Sequence, residues 1–493
     1  MEESAGCYLY MGLISQIYLV LSVINIFLAM ALIFLERRNA TATWAWILVL
    51  FFIPGLGFFI YVILGRNLSG RKLYRINQRE NKTLNDMVRW QKQMLQQDKL
   101  VYQDVSVETY RDFVYMNVTT NKTLLTQDNE VEIYTSGKEK FEALFASLEQ
   151  ATDHIHLQYY IFRQDTLGAQ LVELLVKKAK QGVKVRLLYD DIGSLGIKNK
   201  KNFFDELKQA GGEVAVFFSS PIPYLNFRLN YRNHRKIAVV DGKIGFVGGF
   251  NVGNEYLGLD QVLGDWRDTH LRIEGLAVSS LQITFLLDWN LASGQNILYT
   301  EEHFPKWRGS GKVALQVVTS GPTSRYQRIQ YNYLKMIHSA KKSLYLQTPY
   351  FVPDESLLND LKIAVLSGID VRIMIPKRSD NRLVQWASSS YIGELLGAGA
   401  RCYLYEKGFL HAKTMMVDGS LATVGTANLD IRSLKLNFEV NAIIYDSQTA
   451  MKLEEFFLQD IPHCTELTLE EYHNRPRILR FQESIGRLLS PIL

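Results

Sequence analysis

The chain of 493 residues has only three cysteines, Cys7, Cys402 and Cys464. They are odd in number, widely scattered and never in a C-x-x-C pair. This excludes a disulfide framework and a cysteine zinc site as organising features, and it suits a reducing compartment. Net charge is only +5, so the basic excess of a nucleic-acid-binding domain is missing and no nucleic-acid partner is expected. No G-x-G-x-x-G or Walker string occurs, which removes the usual nucleotide-binding loops. Charge is absent altogether from two stretches, Met11 to Leu35 and Thr43 to Leu64. Each exceeds the roughly 20 residues needed to cross a bilayer core.

A cleaved signal peptide does not fit the first stretch. Glu2 and Glu3 replace the usual Lys or Arg, the apolar run is too long, and no A-x-A site follows. Glu36-Arg37-Arg38-Asn39 separates the two stretches as a short polar turn, so residues 1–65 are expected to form a membrane hairpin. Trp44, Trp46 and Tyr61 sit where interfacial anchors belong. Pro54-Gly55-Leu56-Gly57 interrupts the second stretch, as either a kinked helix or a re-entrant piece. Arg66, Arg71, Lys72, Arg75, Arg79 and Lys82 outweigh Arg37 and Arg38. The positive-inside tendency therefore puts the large C-terminal part in the cytoplasm of what is expected to be a multi-pass protein of the cell membrane.

Residues 66–128 read as a linker, with a connecting helix marked by Met87, Trp90, Met94 and Leu95. From Glu130 onward strands alternate with helices. A helix is expected over Phe141 to Ala151 and a buried strand over Ile155 to Phe162. An amphipathic helix over Ala169 to Gln181 follows, ended by Gly182, then a strand over Val183 to Tyr189. The pattern returns as a strand at Leu344 to Phe351, a helix at Glu355 to Leu366 and a strand at Val371 to Ile375. The expected fold is α/β, in two tandem repeats at 129–310 and 311–493.

One unusual string occurs twice in the same register. His234-Arg-Lys236 is followed by Asp241 and by Gly248-Gly249-Phe250-Asn251; His411-Ala-Lys413 is followed by Asp418 and by Gly425-Thr426-Ala427-Asn428. Ile237 to Val240 and Thr414 to Val417 are β-type runs, and Asp241-Gly242 and Asp418-Gly419 are hairpin-turn dipeptides. Side chains at i and i+2 on a strand share a face, so each histidine lies beside its lysine. If the halves face each other, two imidazoles, two ammonium groups and two amides converge. That set suits displacement at a phosphodiester. One imidazole attacks phosphorus, and the other protonates the leaving alcohol and deprotonates the incoming one. Lys236, Lys413, Asn251 and Asn428 would stabilise the phosphate oxygens. The lysines supply the charge a metal would supply, so no metal or other cofactor is expected.

This duplicated H-x-K-x4-D string, with its downstream Gly and Asn, resembles the phospholipase D superfamily. The paired apolar segments, Trp266 to Glu274, Leu281-Gln-x-x-Phe-x-x-Asp288-Trp289 and Asn437-Phe-Glu-Val-Asn441 resemble the bacterial cardiolipin synthases within it. The resemblance covers nearly the whole chain. It implies a membrane-bound phosphatidyltransferase that joins two phosphatidylglycerols into cardiolipin and releases glycerol. It also implies one pseudo-symmetric site, with His234 as nucleophile, His411 as acid and base, and a carboxylate behind each histidine; Asp268 and Glu439 are the candidates. Asp241 and Asp418 belong to the motif as catalytic candidates, but their turn positions equally suit a structural role. The residue after the motif glycine is often Ser or Thr in the superfamily; Gly249 departs from this and Thr426 does not, which suggests unequal phosphate binding. A phospholipase D-type hydrolase or another phosphatidyltransferase is the alternative, because the motif does not reveal the acceptor. Two further stretches are candidates for lipid contact: Pro221 to Phe227, and a basic amphipathic C-terminal tail with Arg477, Arg480 and Arg487.

Overall fold

The strands of the two repeats follow one another in the same order, and the sheet they build is correspondingly symmetric. In this computed structural model the described residues are 12, 15–17, 19–20, 22–28, 30, 40–53, 56–61, 73–74, 78–198, 202–219, 230–306, 309 and 311–492. They fall into two units, one comprising Met1–Arg71 with Ser220–Asn230 and one comprising Lys72–Ser219 with Tyr231–Leu493.

In the larger unit the first repeat contains β1 (Thr126–Ser136), β2 (His154–Tyr159), β3 (Lys184–Asp190), β4 (Glu213–Phe217), β5 (Ile237–Val240), β6 (Ile244–Gly248) and β7 (Asp265–Glu274). The second contains β8 (Val313–Ser320), β9 (Ser343–Gln347), β10 (Phe351–Val352), β11 (Asp370–Pro376), β12 (Arg401–Tyr405), β13 (Gly408–Leu410), β14 (Thr414–Val417), β15 (Leu421–Gly425), β16 (Leu429–Asp430), β17 (Glu439–Ile444) and β18 (Cys464–Leu467). The strand order is β18-β12-β11-β9-β14-β15-β17-β8-β1-β7-β6-β5-β2-β3-β4. Read outward from the antiparallel β1–β8 seam, each side has the same succession of pairings, to which the second repeat adds β18, antiparallel at the edge beside β12.

Local chemistry explains these elements. β2, β3 and β4 pair in parallel, as do β9, β11 and β12, and helices Thr166–Lys180 and Glu355–Leu366 supply crossovers. Asp165 and Asp354 cap those helices by accepting the N–H of Gly168 and Leu357. Gly182, at φ +91°, lets the chain turn out of the first. In both motif hairpins Asp and Gly have positive φ, +52° and +64° at Asp241-Gly242 and +52° and +61° at Asp418-Gly419. That geometry matches the right-handed twist of the paired strands. Ala238 and Val240 pack with Phe141 and Leu175. Ile237 and Val239 join Val317, Met416 and Val440 in a core shared by both repeats.

Two expectations need adjustment. β5 and β14 start one residue after Lys236 and Lys413, so the His-x-Lys triplets lie in the extended approach to the strand. Residues 105–121 are not a loose linker: Val107, Phe113, Val114 and Val118 are buried with Ile329 and Tyr333 of the second repeat. The Asn117 amide there donates to Gln316 and Asn332.

In the smaller unit the second apolar stretch is divided between helices Ala40–Phe52 and Leu56–Ile60. The Asn25 amide donates to the Leu50 carbonyl, 2.9 Å, and the Trp46 and Tyr61 rings meet edge to face. Among the described residues no helix is long and apolar enough to cross a membrane. Parts of the Met11–Leu35 stretch, and the Pro221–Phe227 stretch, lie outside the described residues.

Candidate active site

The motif histidines are brought together by strand pairings that cross between repeats. β13, which leads into His411, runs parallel to β7, and the His411 N–H donates to the Arg267 carbonyl, 2.7 Å. Symmetrically, Asn233 bridges to Phe438 just before β17, and the His234 N–H donates to the Phe438 carbonyl, 2.9 Å. Each histidine is thus laid beside the strand that carries a carboxylate of the other repeat. His234 Nδ1 lies 3.0 Å from Glu439 Oε2, and His411 Nδ1 lies 2.6 Å from Asp268 Oδ2. Both carboxylates are fully buried.

Those contacts set the protonation state. Burial alone would raise both carboxyls, but Lys413 and His411 hold Asp268 below its usual range, and His234 and Lys236 do the same for Glu439. Both acids are therefore ionised. Burial lowers His234, against the pull of Glu439. Burial and then the Lys413 ammonium push His411 down to about 3. Each resting imidazole is neutral, keeps its proton on Nδ1 facing the carboxylate, and leaves Nε2 unprotonated. The 2.8 Å approach of Lys413 Nζ to His411 Nδ1 then sets two donors against each other, and this repulsion is part of what lowers His411. The ammonium donates instead to the His411 carbonyl.

Lys236 makes the equivalent bond to the His234 carbonyl, 2.7 Å, and lies 5.3 Å from the centre of the Tyr160 ring. Both lysines are wholly buried, and burial lowers them to about 7 for Lys236 and about 8 for Lys413. They sit behind the histidines and do not form the wall of the pocket. That pocket, about 700 Å³, is lined by both histidines, Asn251, Asn428 and Tyr160, with Trp266 among the other wall residues. Asn251 is held by the Ile161 N–H and the Tyr256 hydroxyl.

Asp241 and Asp418 are placed elsewhere, one strand length from the histidines. The Asp241 carboxylate accepts the N–H groups of Thr152, Asp153 and His154 and the Thr152 hydroxyl, at 2.8–2.9 Å. Asp418 accepts those of Lys341, Lys342 and Ser343, also at 2.8–2.9 Å. Each fastens its hairpin turn to the start of the neighbouring strand, β2 or β9. Neither lines the pocket.

The departure at Gly249 also has a steric cause. A Cβ there would lie 1.9 Å from Asp268 Oδ1, so only glycine leaves room for the carboxylate. At the matching position the Thr426 hydroxyl donates to Glu439 Oε2, 2.5 Å. The asymmetry therefore acts on the carboxylates behind the histidines, because Thr426 is fully buried and outside the pocket wall.

Sequence reasoning missed the residues that hold the approach segments. Asp190, at the end of β3, accepts the Asn233 N–H and pairs with Arg232; Asp288 accepts Asn233, Arg235, Gln158 and the Tyr74 hydroxyl. It also missed the aromatic walls. The Tyr160 ring is 4.8 Å from His234, and Trp266 is 5.1 Å from His411. The available signal was the i, i+2 spacing of Trp266 and Asp268 along one strand.

Comparison with known proteins follows the same division. A family described as cardiolipin synthase, PLD-like domain, matches residues 144–261 and 333–461, and a phospholipase D-nuclease N-terminal family matches 23–66. The cardiolipin synthase of Listeria welshimeri is 49% identical over 98% of this chain and 100% of its own length. The major cardiolipin synthase ClsA of Bacillus subtilis is 50% identical over 96% of this chain and 98% of its own. Among solved structures, the phosphatidylserine synthase of Haemophilus influenzae superposes with a TM-score of 0.60 at 15% identity. It covers 79% of this chain and 100% of that one, and shows a shared fold.

Proposed function

This chain belongs to the phospholipase D-like cardiolipin synthase family, a phosphatidyltransferase, and from that premise we propose that it joins two phosphatidylglycerols at a bilayer through a phosphatidyl-histidine. The observation that carries the reading is the pair of imidazoles lining one pocket, each with Nδ1 held by a buried carboxylate. His234 Nε2 attacks phosphorus, the P–O bond to the first glycerol breaks, and His411 gives that oxygen a proton. His411 then takes the proton from a hydroxyl of the second phosphatidylglycerol, whose oxygen attacks phosphorus and frees His234. The incoming phosphodiester is anionic. Set against Lys413, it relieves the repulsion that helps to depress His411, so substrate binding itself charges the acid. Lys236 and Lys413, turned from the carbonyls they now bond, bring two cations to the non-bridging oxygens, with Asn251 and Asn428 as amide partners.

Membrane attachment through residues 1–65 is part of the same reading. It is supported by the two uncharged stretches, by the family match at 23–66, and by the Asn25–Leu50 bond that ties one stretch to the other. Six basic residues from Arg66 to Lys82 put the catalytic part in the cytoplasm. In a Cys7→Ser/Cys402→Ser chain, an impermeant thiol reagent then labels Cys464 only after cells are permeabilised and the protein unfolded. Labelling in intact cells reverses the orientation.

The deciding experiment incubates the purified full chain with phosphatidylglycerol vesicles and scores cardiolipin, glycerol and phosphatidic acid. Cardiolipin with equimolar glycerol is expected, with a quenched adduct on His234. Phosphatidic acid alone makes the protein a hydrolase, and an adduct on His411 exchanges the two histidine roles.

A further inference from the structure

The C-terminal helix Arg477–Leu489 has two faces of opposite character. Its inner face packs on helix Arg382–Ala398. Gly486 allows the close approach, since a Cβ there would meet the Ala387 nitrogen at 2.7 Å, and the Ser490 and Tyr391 hydroxyls bond at 2.9 Å. The one acidic residue of the helix, Glu483, is turned inward and pairs with Arg475. The outer face carries Ile478, Phe481 and Leu488, which are 65%, 63% and 79% exposed. Arg477 and Arg480 alternate with them on that face, and Arg487 lies at its edge, where its guanidinium stacks 4.8 Å from the centre of the Tyr391 ring. Arg487 and Lys362 share Glu394, so that trio keeps a net positive charge, and the exposed Ile363 and Leu366 lie on the Lys362 helix. Large apolar groups protruding among arginines are unfavourable in water and suited to the boundary between lipid head groups and acyl chains. There the apolar groups enter the bilayer and the guanidinium groups meet phosphate.

The elements beneath this helix border the active-site pocket. Asn381 caps the Arg382–Ala398 helix, and both Asn381 and Val384 line the pocket. The short turn after the C-terminal helix packs on helix Ile431–Lys435, whose Arg432 and Ser433 also line it.

We propose that the Arg477–Leu489 helix is a membrane-docking surface that sits on anionic phospholipid beside the pocket, as a contact separate from residues 1–65. The proposal rests on the reading that the pocket takes its substrate from a bilayer. The charge pattern selects this occupant. A second copy of the chain would bring arginines against arginines, whereas an anionic bilayer compensates them and covers the apolar groups together.

The test uses the full chain with Cys7→Ser and Cys464→Ser; Cys402 is buried. Single cysteines replace Ile478, Phe481 or Leu488 and carry an environment-sensitive fluorophore. Met451→Cys is the control, because Met451 lies at the Asp418-Gly419 turn, one strand length from His411. The proteins are reconstituted into phosphatidylcholine vesicles with increasing phosphatidylserine and with doxyl-labelled lipid as quencher. Blue-shifted, lipid-quenched emission at the three helix positions, absent at 451, is the expected result. Arg477→Gln and Arg480→Gln should each weaken the dependence on anionic lipid by about fivefold. Emission typical of water at all three positions overturns the proposal. So does a shift that follows protein concentration and ignores lipid, which would give the face to a second copy. Cardiolipin formation is assayed separately on phosphatidylglycerol. Quenching without product sinks the enzymatic reading and leaves the docking surface; product without quenching does the reverse.

Discussion

Glu439 of the second repeat, held 3.0 Å from His234 Nδ1, is the carboxylate that fixes the tautomer of the first repeat's histidine. Asp268 returns the arrangement by holding His411. The two histidine–carboxylate pairs therefore depend on the β1–β8 seam and on the crossing pairs β7–β13 and Asn233–Phe438. A substitution in one repeat should be felt by the histidine of the other.

Glu439→Gln and Asp268→Asn should each lower kcat by about 10²–10⁴, the range for losing the group that orients a catalytic imidazole. The crossing is read by proton NMR. Glu439→Gln should remove the downfield Nδ1 proton of His234 and keep that of His411, and Asp268→Asn should do the opposite. If each variant disturbs the histidine of its own repeat, the crossing is wrong.

Lys236→Met should lower turnover by about 10²–10³ and raise the melting temperature. Burial takes Lys236 down to about 7, so between that value and the unfolded lysine's pKa the unfolded chain binds more protons. Wild-type stability thus rises with pH across that window, and the methionine variant should lack the rise. Full activity in a folded Lys236→Met chain would remove this cation from the mechanism.

Asp241→Ala should act on stability and spare the chemistry. The carboxylate anchors the turn before β2 through four hydrogen bonds, and losing them unpairs the buried His154 N–H along with the more exposed groups of Thr152 and Asp153, at about 1–3 kcal/mol in all. The backbone and Thr152 donors hold its pKa below the ordinary value despite burial. Its stabilisation is therefore present above the unfolded carboxyl pKa and lost as pH falls through the lower folded one. Melting curves from pH 6 to 3 should show a steeper loss in wild type than in Asp241→Ala. A variant that melts normally and cannot turn over would return Asp241 to the chemistry.

Binding of inorganic phosphate should raise the pKa of His411. Burial and Lys413 push it down to about 3 in the free protein, and an anion against Lys413 cancels the second cause. A titration of the His411 Cε1 signal, with and without saturating phosphate, should move to higher pH. An unchanged midpoint would mean that the acid is charged by some other route.

Much of this site could be read from the sequence because its parts repeat. His234 with Lys236 and His411 with Lys413 share spacing, apolar strands and Asp-Gly turns, and local rules convert each into a hairpin. Glycine after helix Thr166–Lys180 and the aspartate before it mark that helix equally well. What stayed hidden depends on how the sheet closes. Periodicity gives the face on which Asp268 lies, but the partner of that face is chosen by β13, a strand of three residues with no repeated signature. The turn position of Asp241 already suited a structural role, but its partners were hidden, because the three N–H groups it binds belong to residues 152–154. Of the aromatic walls, Trp266 shares a strand face with Asp268 and could have been found from that spacing, whereas Tyr160 directly follows a buried strand with no such partner to mark it.

The crossing also has a meaning in time. Ribosomes deliver residues in order, at about 5–20 per second, and the complete first motif leaves the tunnel well before residue 439. During that interval His234 exists beside a lysine but has no carboxylate to hold its ring. A chain that stalls or is cut before Glu439 therefore carries a full His-x-Lys signature and a histidine without its carboxylate, which on the proposed mechanism is not a working nucleophile. Completion of synthesis, more than the folding of either repeat, is the event that switches the chemistry on.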